Sequence, residues 1–256
     1  MQISKPNYYV VMNLFGCICD RNNIVCKTAL KNTFSSFFPD NFMYPTSPLL
    51  TVKNNNHNFK FLLKSFTPNN FLETSLGENK NIIINELLSN SNISFYHNIK
   101  DVKKETDVIL ELYKKQINNT LINNPSLMNI SDNFFQISKL IDNSGGFCLY
   151  STDFSKDMLN IPLEFWNKHY NFTPKFISCS DDFIGSISSG ENLVKLINSI
   201  NPYISIQEKL KYTIKIDNNM NGILEGINAN VRRIYKIDPN SLETNCIKCL
   251  LEFGLI

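Results

Sequence analysis

Residues 147–182, FCLYSTDFSKDMLNIPLEFWNKHYNFTPKFISCSDD, decide the fold. The segment opens on a strand-forming run, FCLYST, closed by Asp153. A second run, KFISCS, follows at 175–180, and a third, FIGSIS, at 183–188. Asp181-Asp182 between them has the composition of a turn. The stretch from 154 to 174, which holds the only Trp, Trp166, reads as a loop. Three short strands in series predict an antiparallel sheet over 145–189.

Helical patterning dominates on both sides of this sheet. Upstream, NYYVVMN at 7–13 has strand composition, and 24–38 reads as a helix capped by Asn22 or Asn23 and stopped by Pro39. Residues 40–79 are turn-rich, with short strands near 49–53 and 59–65, and 93–96 is strand-like. Helices are expected at 80–90, at 102–122 with a stripe of Val102, Val108, Ile109, Leu112, Tyr113 and Ile117, and at 131–142. Downstream, the pattern predicts helices at 190–199, 205–214, 219–236 and 241–253. Segregated runs of helix and strand favour an α+β class over alternating α/β. The expected organisation is one domain over 1–256: a mainly helical part (1–144), the sheet (145–189) and a helical C-terminal part (190–256).

Composition narrows the function classes. The 256 residues are 43% hydrophobic, enough for a full core. The 25 basic and 23 acidic residues nearly cancel, and no basic face is concentrated, which argues against nucleic acid as partner. No run approaches the ~20 apolar residues needed to span a bilayer. No secretory leader is recognisable at residues 1–13, so a cytoplasmic location with free thiols is expected. With only 9 Gly there is neither GxGxxG nor GxxxxGK[ST], so no nucleotide cofactor is expected.

Chemistry is sought among the cysteines and histidines. Cys26 lies in the first turn of the helix at 24–38, where free N–H groups and the positive dipole end would lower a thiol pKa from ~8.5 and favour a nucleophilic thiolate. Burial as an ordinary core cysteine is the competing reading. His57 and His97 lie in loop or strand-end positions, whereas His169 precedes the strand KFISCS. If that strand pairs antiparallel with FCLYSTD, Asp153 and His169 meet at one sheet end, and Asp153 orients the imidazole. Cys17, Cys19, Cys246 and Cys249 could supply four thiolates to zinc, but CxC with a distant CxxC is not a usual spacing, and no metal is expected.

Two segments, VCKTALKNTFSSFF at 25–38 and the 147–182 stretch, resemble the papain-like cysteine-peptidase fold in butirosin-type biosynthetic acyltransferases and related amide synthases. The resemblance rests on Cys26, Leu30 and Asn32 with a later aromatic, and on Asp153, Trp166, His169 and Asp181-Asp182. It implies a papain-like fold with a central nucleophile helix and the catalytic set Cys26, His169 and Asp153. It implies cysteine-dependent acyl transfer through an acyl-enzyme, from a thioester or acyl carrier protein donor to a small amine, without a cofactor. The alternatives are a cysteine peptidase or amidase on the same scaffold, or a non-catalytic interaction protein.

Overall fold

Tyr9, Val10, Val11, Met12 and Asn13 are all buried, leaving no alternation between a wet and a dry face. A strand covered on both faces belongs to the interior of a parallel sheet. The computed structural model, which describes residues 8–20, 22–37, 75–89, 99–130, 132–182, 185–201 and 203–237, places it so. Five parallel strands run β1 (Tyr9–Asn13), β2 (Phe147–Ser151), β3 (Ile177–Ser178), β4 (Thr213–Asp217) and β5 (Arg233–Lys236), in the spatial order β3-β2-β1-β4-β5.

Helices make the crossovers that parallel pairing requires. Between β1 and β2 lie α1 (Ile24–Phe37), α2 (Lys80–Ser89), α3 (Val102–Asn123) and α4 (Asp132–Asn143). Helix α5 (Asn160–Tyr170) joins β2 to β3. Helices α6 (Glu191–Ser199) and α7 (Ile206–Lys211) return the chain to β4, and α8 (Met220–Asn228) leads to β5. Odd and even positions of β1 serve different cores. Val10 and Met12 pack with α1, α3 and α4, while Tyr9 and Val11 pack with Leu193, Leu196 and Ile197 of α6 and with Ala229 and Val231. In α3, Ile109, Tyr113, Ile117 and Leu121 form one buried stripe at helical spacing, each contributing about 1.5–3 kcal/mol of burial.

The α+β, papain-like expectation is thereby corrected to α/β. The strands at 147–151 and 177–178 exist, but they pair in parallel. The end of β2 therefore adjoins the end of β3, and the expected meeting of Asp153 with the residue before β3 does not arise. The supposed loop around Trp166 is helix α5. Pro162 and Trp166 form its buried side, and the indole N–H donates to the Met128 carbonyl at 2.7 Å. FIGSIS is no strand where described, since Ile187–Ser189 is a 3₁₀ turn. The helices expected at 205–214 and 219–236 each give way to a strand, β4 and β5. Asn23 stands just before α1 and its carbonyl accepts the Lys27 N–H, while the side-chain cap comes from Asp20 further upstream: its carboxylate accepts from the N–H groups of Ile24 (2.8 Å) and Val25 (2.7 Å). Pro39, the strands near 49–53, 59–65 and 93–96, and the helix at 241–253 lie outside the described residues.

Candidate active site

From β1 the chain moves outward to β2 and β3, then returns past β1 to β4 and β5. Open α/β sheets bind ligands at the carboxyl ends of the strands where the winding reverses, here between β1 and β4. A polar row crosses that edge. Register aligns Asn13 with Ser151 and Ser151 with Ser178, and Asp217 follows Ile216, the partner of Met12. All four side chains are buried. Asn13 Oδ1 and Ser178 Oγ have no hydrogen-bond partner among the described residues, which leaves two buried oxygens of the row with capacity for a water or a ligand.

Close-packed loops fix the row. After β1 the chain turns sharply through Leu14–Ile18, with Gly16 at φ +114. A Cβ there would stand 2.3 Å from the Asn218 side chain, so both conformation and space demand glycine. After β4, Asn219 caps α8 by accepting from the Gly222 N–H at 2.8 Å. A Cβ on Gly222 would lie 1.9 Å from Asp217 Oδ2.

Asp217 is saturated. Its Oδ1 accepts from Asn219 Nδ2 (2.8 Å), the N–H groups of Asn218 (2.9 Å) and Asn219 (3.1 Å), and Asn13 Nδ2 (3.3 Å). Its Oδ2 faces Lys215 Nζ at 3.2 Å. Lys215 is 0% exposed, and its ammonium also donates to Glu225 Oε2 (2.6 Å) and Ser151 Oγ (2.7 Å). Burial alone would lower the Lys215 pKa, but Glu225 and Asp217 together outweigh it and hold the ammonium above its ordinary value. Burial raises the Glu225 carboxyl against the pull of Lys215.

Residues 75–80 lie across this edge. Lys80 Nζ pairs with Asp153 Oδ2 at 2.6 Å, both 3% exposed, and the Gly77 N–H donates to the same oxygen at 3.2 Å. The Glu78 carboxylate accepts from the Ile187 N–H (2.6 Å) and the Ser186 hydroxyl (2.6 Å), while Asn221 Nδ2 donates to the Leu76 carbonyl at 2.8 Å.

The sequence-derived set Cys26, His169 and Asp153 is only half assembled. The Cys26 thiol faces Asp153 Oδ2 at 3.9 Å. It is 2% exposed, and burial, reinforced by the Asp153 charge, pushes its pKa well above the ordinary thiol value, opposite to the expected thiolate. His169 stands exposed on the last turn of α5, its ring against Phe165 at 4.4 Å. Of the four thiols considered for zinc, Cys17 and Cys19 are buried and donate to carbonyl oxygens, and Cys246 and Cys249 lie outside the described residues. Among the described residues no group of three His, Cys, Asp or Glu side chains is placed to hold a metal ion. No described helix is long and apolar enough to cross a membrane.

Sequence reasoning missed Asn13, Ser151, Lys215, Asp217 and Glu225. The signal that could have found them is IKIDNNMNG, a β-branched run ending in an acid, then an Asn cap and a helix.

No protein-family model and no curated protein matches the chain. Solved structures do. A phosphonoacetaldehyde hydrolase-like protein from Oleispira antarctica is similar over 98% of this chain and 87% of its own, at TM-score 0.63 and 14% identity. A hydrolase from Pseudomonas syringae is similar over 92% of this chain and 96% of its own, at TM-score 0.57 and 10% identity. These likenesses show an α/β fold shared with those two structures, in keeping with the five-stranded parallel sheet. They overturn the resemblance to papain-like acyltransferases, and with it cysteine acyl transfer and the peptidase alternative.

Proposed function

We propose that the chain is a HAD-type hydrolase that cleaves a small phosphoryl or phosphono compound in the crevice between β1 and β4. The observation that carries this reading is the buried polar row Ser178, Ser151, Asn13 and Asp217, backed by the Lys215 ammonium at the switch point of the sheet. One structural neighbour is a phosphonoacetaldehyde hydrolase-like protein and another is a hydrolase, which supports the reaction type and the substrate class.

The residues suggest roles. Lys215 donates to Ser151 Oγ, so the Ser151 proton is left to point elsewhere. A hydroxyl polarised by an ammonium in a dry wall is a fit donor to a substrate oxygen that gains negative charge. Asn13 Oδ1, buried and unpartnered, is placed to accept from a water molecule and orient it. Asp217 is too fully hydrogen-bonded to attack substrate, so its part is to hold Asn13 and Lys215 in place.

The test is release of inorganic phosphate from phosphonoacetaldehyde and a panel of phosphomonoesters. Turnover by the wild type, lowered roughly 10²-fold in Ser151→Ala, is the expected result for loss of one charge-stabilising donor. Binding of these compounds without turnover, or equal rates in both proteins, refutes the reading.

A further inference from the structure

The surroundings of Lys215 match those of a metal ion. Two carboxylates, Asp217 and Glu225, converge with a hydroxyl, Ser151, in a fully buried space beside Asn13. Glu78, from the segment that covers the edge, adds a further negative charge near Glu225. Hard oxygen donors with excess negative charge are the surroundings that Mg²⁺ takes in phosphoryl-transfer sites. The residues present do not admit one. The ammonium stands within 2.6–3.2 Å of one oxygen from each of the three groups, filling the space a cation would share with them. Asp217 Oδ1 is spent on four donors, and Oδ2 faces the ammonium. A dication brought in beside it would meet a buried like charge.

We infer that Lys215 is a resident cation: its ammonium takes the place of a divalent metal between Asp217 and Glu225, so the crevice works without one. The metal-free operation rests on the hydrolase reading above, whereas the occupancy of the site by Lys215 stands on geometry alone. Lysine gives the site a fixed positive charge through a covalent tether, independent of metal supply. It also joins β2, β4 and α8 at one point, as a metal ligated from three elements would.

Mn²⁺ titration followed by electron paramagnetic resonance tests the occupancy. The wild type is expected to bind no Mn²⁺ that Asp217→Asn abolishes. Lys215→Ala, checked for folding by circular dichroism, is expected to gain one site at least roughly tenfold tighter than any in the wild type, lost again in the double variant with Asp217→Asn. A wild-type site that Asp217→Asn abolishes overturns the inference, as does a folded Lys215→Ala protein with no gain. Should Lys215→Ala fail to fold, the wild-type titration still decides. Hydrolysis unchanged by EDTA supports the metal-free operation. Hydrolysis that EDTA stops refutes it but leaves the hydrolase reading intact, whereas absence of hydrolysis with the expected Mn²⁺ pattern refutes only the function.

Discussion

Replacing Asp20 by Asn should shift the stability of the protein in the mutant's favour by an amount that grows with pH. Asp20 is 7% exposed and caps α1 through two backbone N–H groups. Burial pushes its carboxyl from 3.8 up to about 6, against the pull of those N–H groups and of Lys27, with Asp153 adding to the rise. An acid whose pKa is higher folded than unfolded holds its proton more tightly in the fold. The resulting penalty is absent below about pH 3.8, grows as pH rises, and is complete above about 6. The interval corresponds to ~3 kcal/mol. Asn adopts the left-handed backbone found at position 20, φ 42, without carrying the charge, and its Oδ1 can keep one of the two N–H groups; its Nδ2 cannot accept from the other, a loss that is the same at every pH and shifts the curve without changing its slope. Urea unfolding of both proteins between pH 4 and 8 measures the effect. The stability of D20N minus that of the wild type should climb by up to ~3 kcal/mol across that range and level off above pH 7. A flat difference would refute the assignment of a buried, reluctant carboxylate to this cap.

The Lys80–Asp153 pair should behave as a buried unit. Lys80→Met alone leaves Asp153 uncompensated and should cost about 3–5 kcal/mol in urea unfolding, and adding Asp153→Asn should recover much of that loss. Gly222→Ala should lower stability by about 3 kcal/mol, read as a fall in Tm of roughly 6–12 °C, because its methyl group collides with the Asp217 carboxylate. Iodoacetamide should label Cys26 more slowly at pH 7 than a free thiol of ordinary pKa, and mass mapping of the labelled protein checks this.

Helix α1, helices α2 to α4 and strands β1 and β2 were legible because each carries a local pattern: apolar residues at helical spacing, or a β-branched run bounded by turn residues. The direction of pairing was not. The unbroken apolar run YVVMN, with no alternation, does favour a parallel neighbour, but it is five residues long and was outweighed by the series of short strand-like runs at 147–188. Strand β4 was hidden by its own chemistry. In TIKID the central Lys215 reads as a solvated helix position, and only its two buried carboxylate partners reveal it as core. Asp153 did stand out in the sequence, but its partner came from an element 73 residues upstream, Lys80, and not from the histidine after it. The candidate site escaped for the same reason. Its members come from four strands and one helix, and no short window of sequence contains more than three of them.

The Lys80–Asp153 pair has a mechanical consequence. Residues 75–80 are tethered to the chain beyond β2 by two opposite charges in a dry place, so their fastening answers to any change that neutralises either partner and hardly at all to salt in the surrounding water.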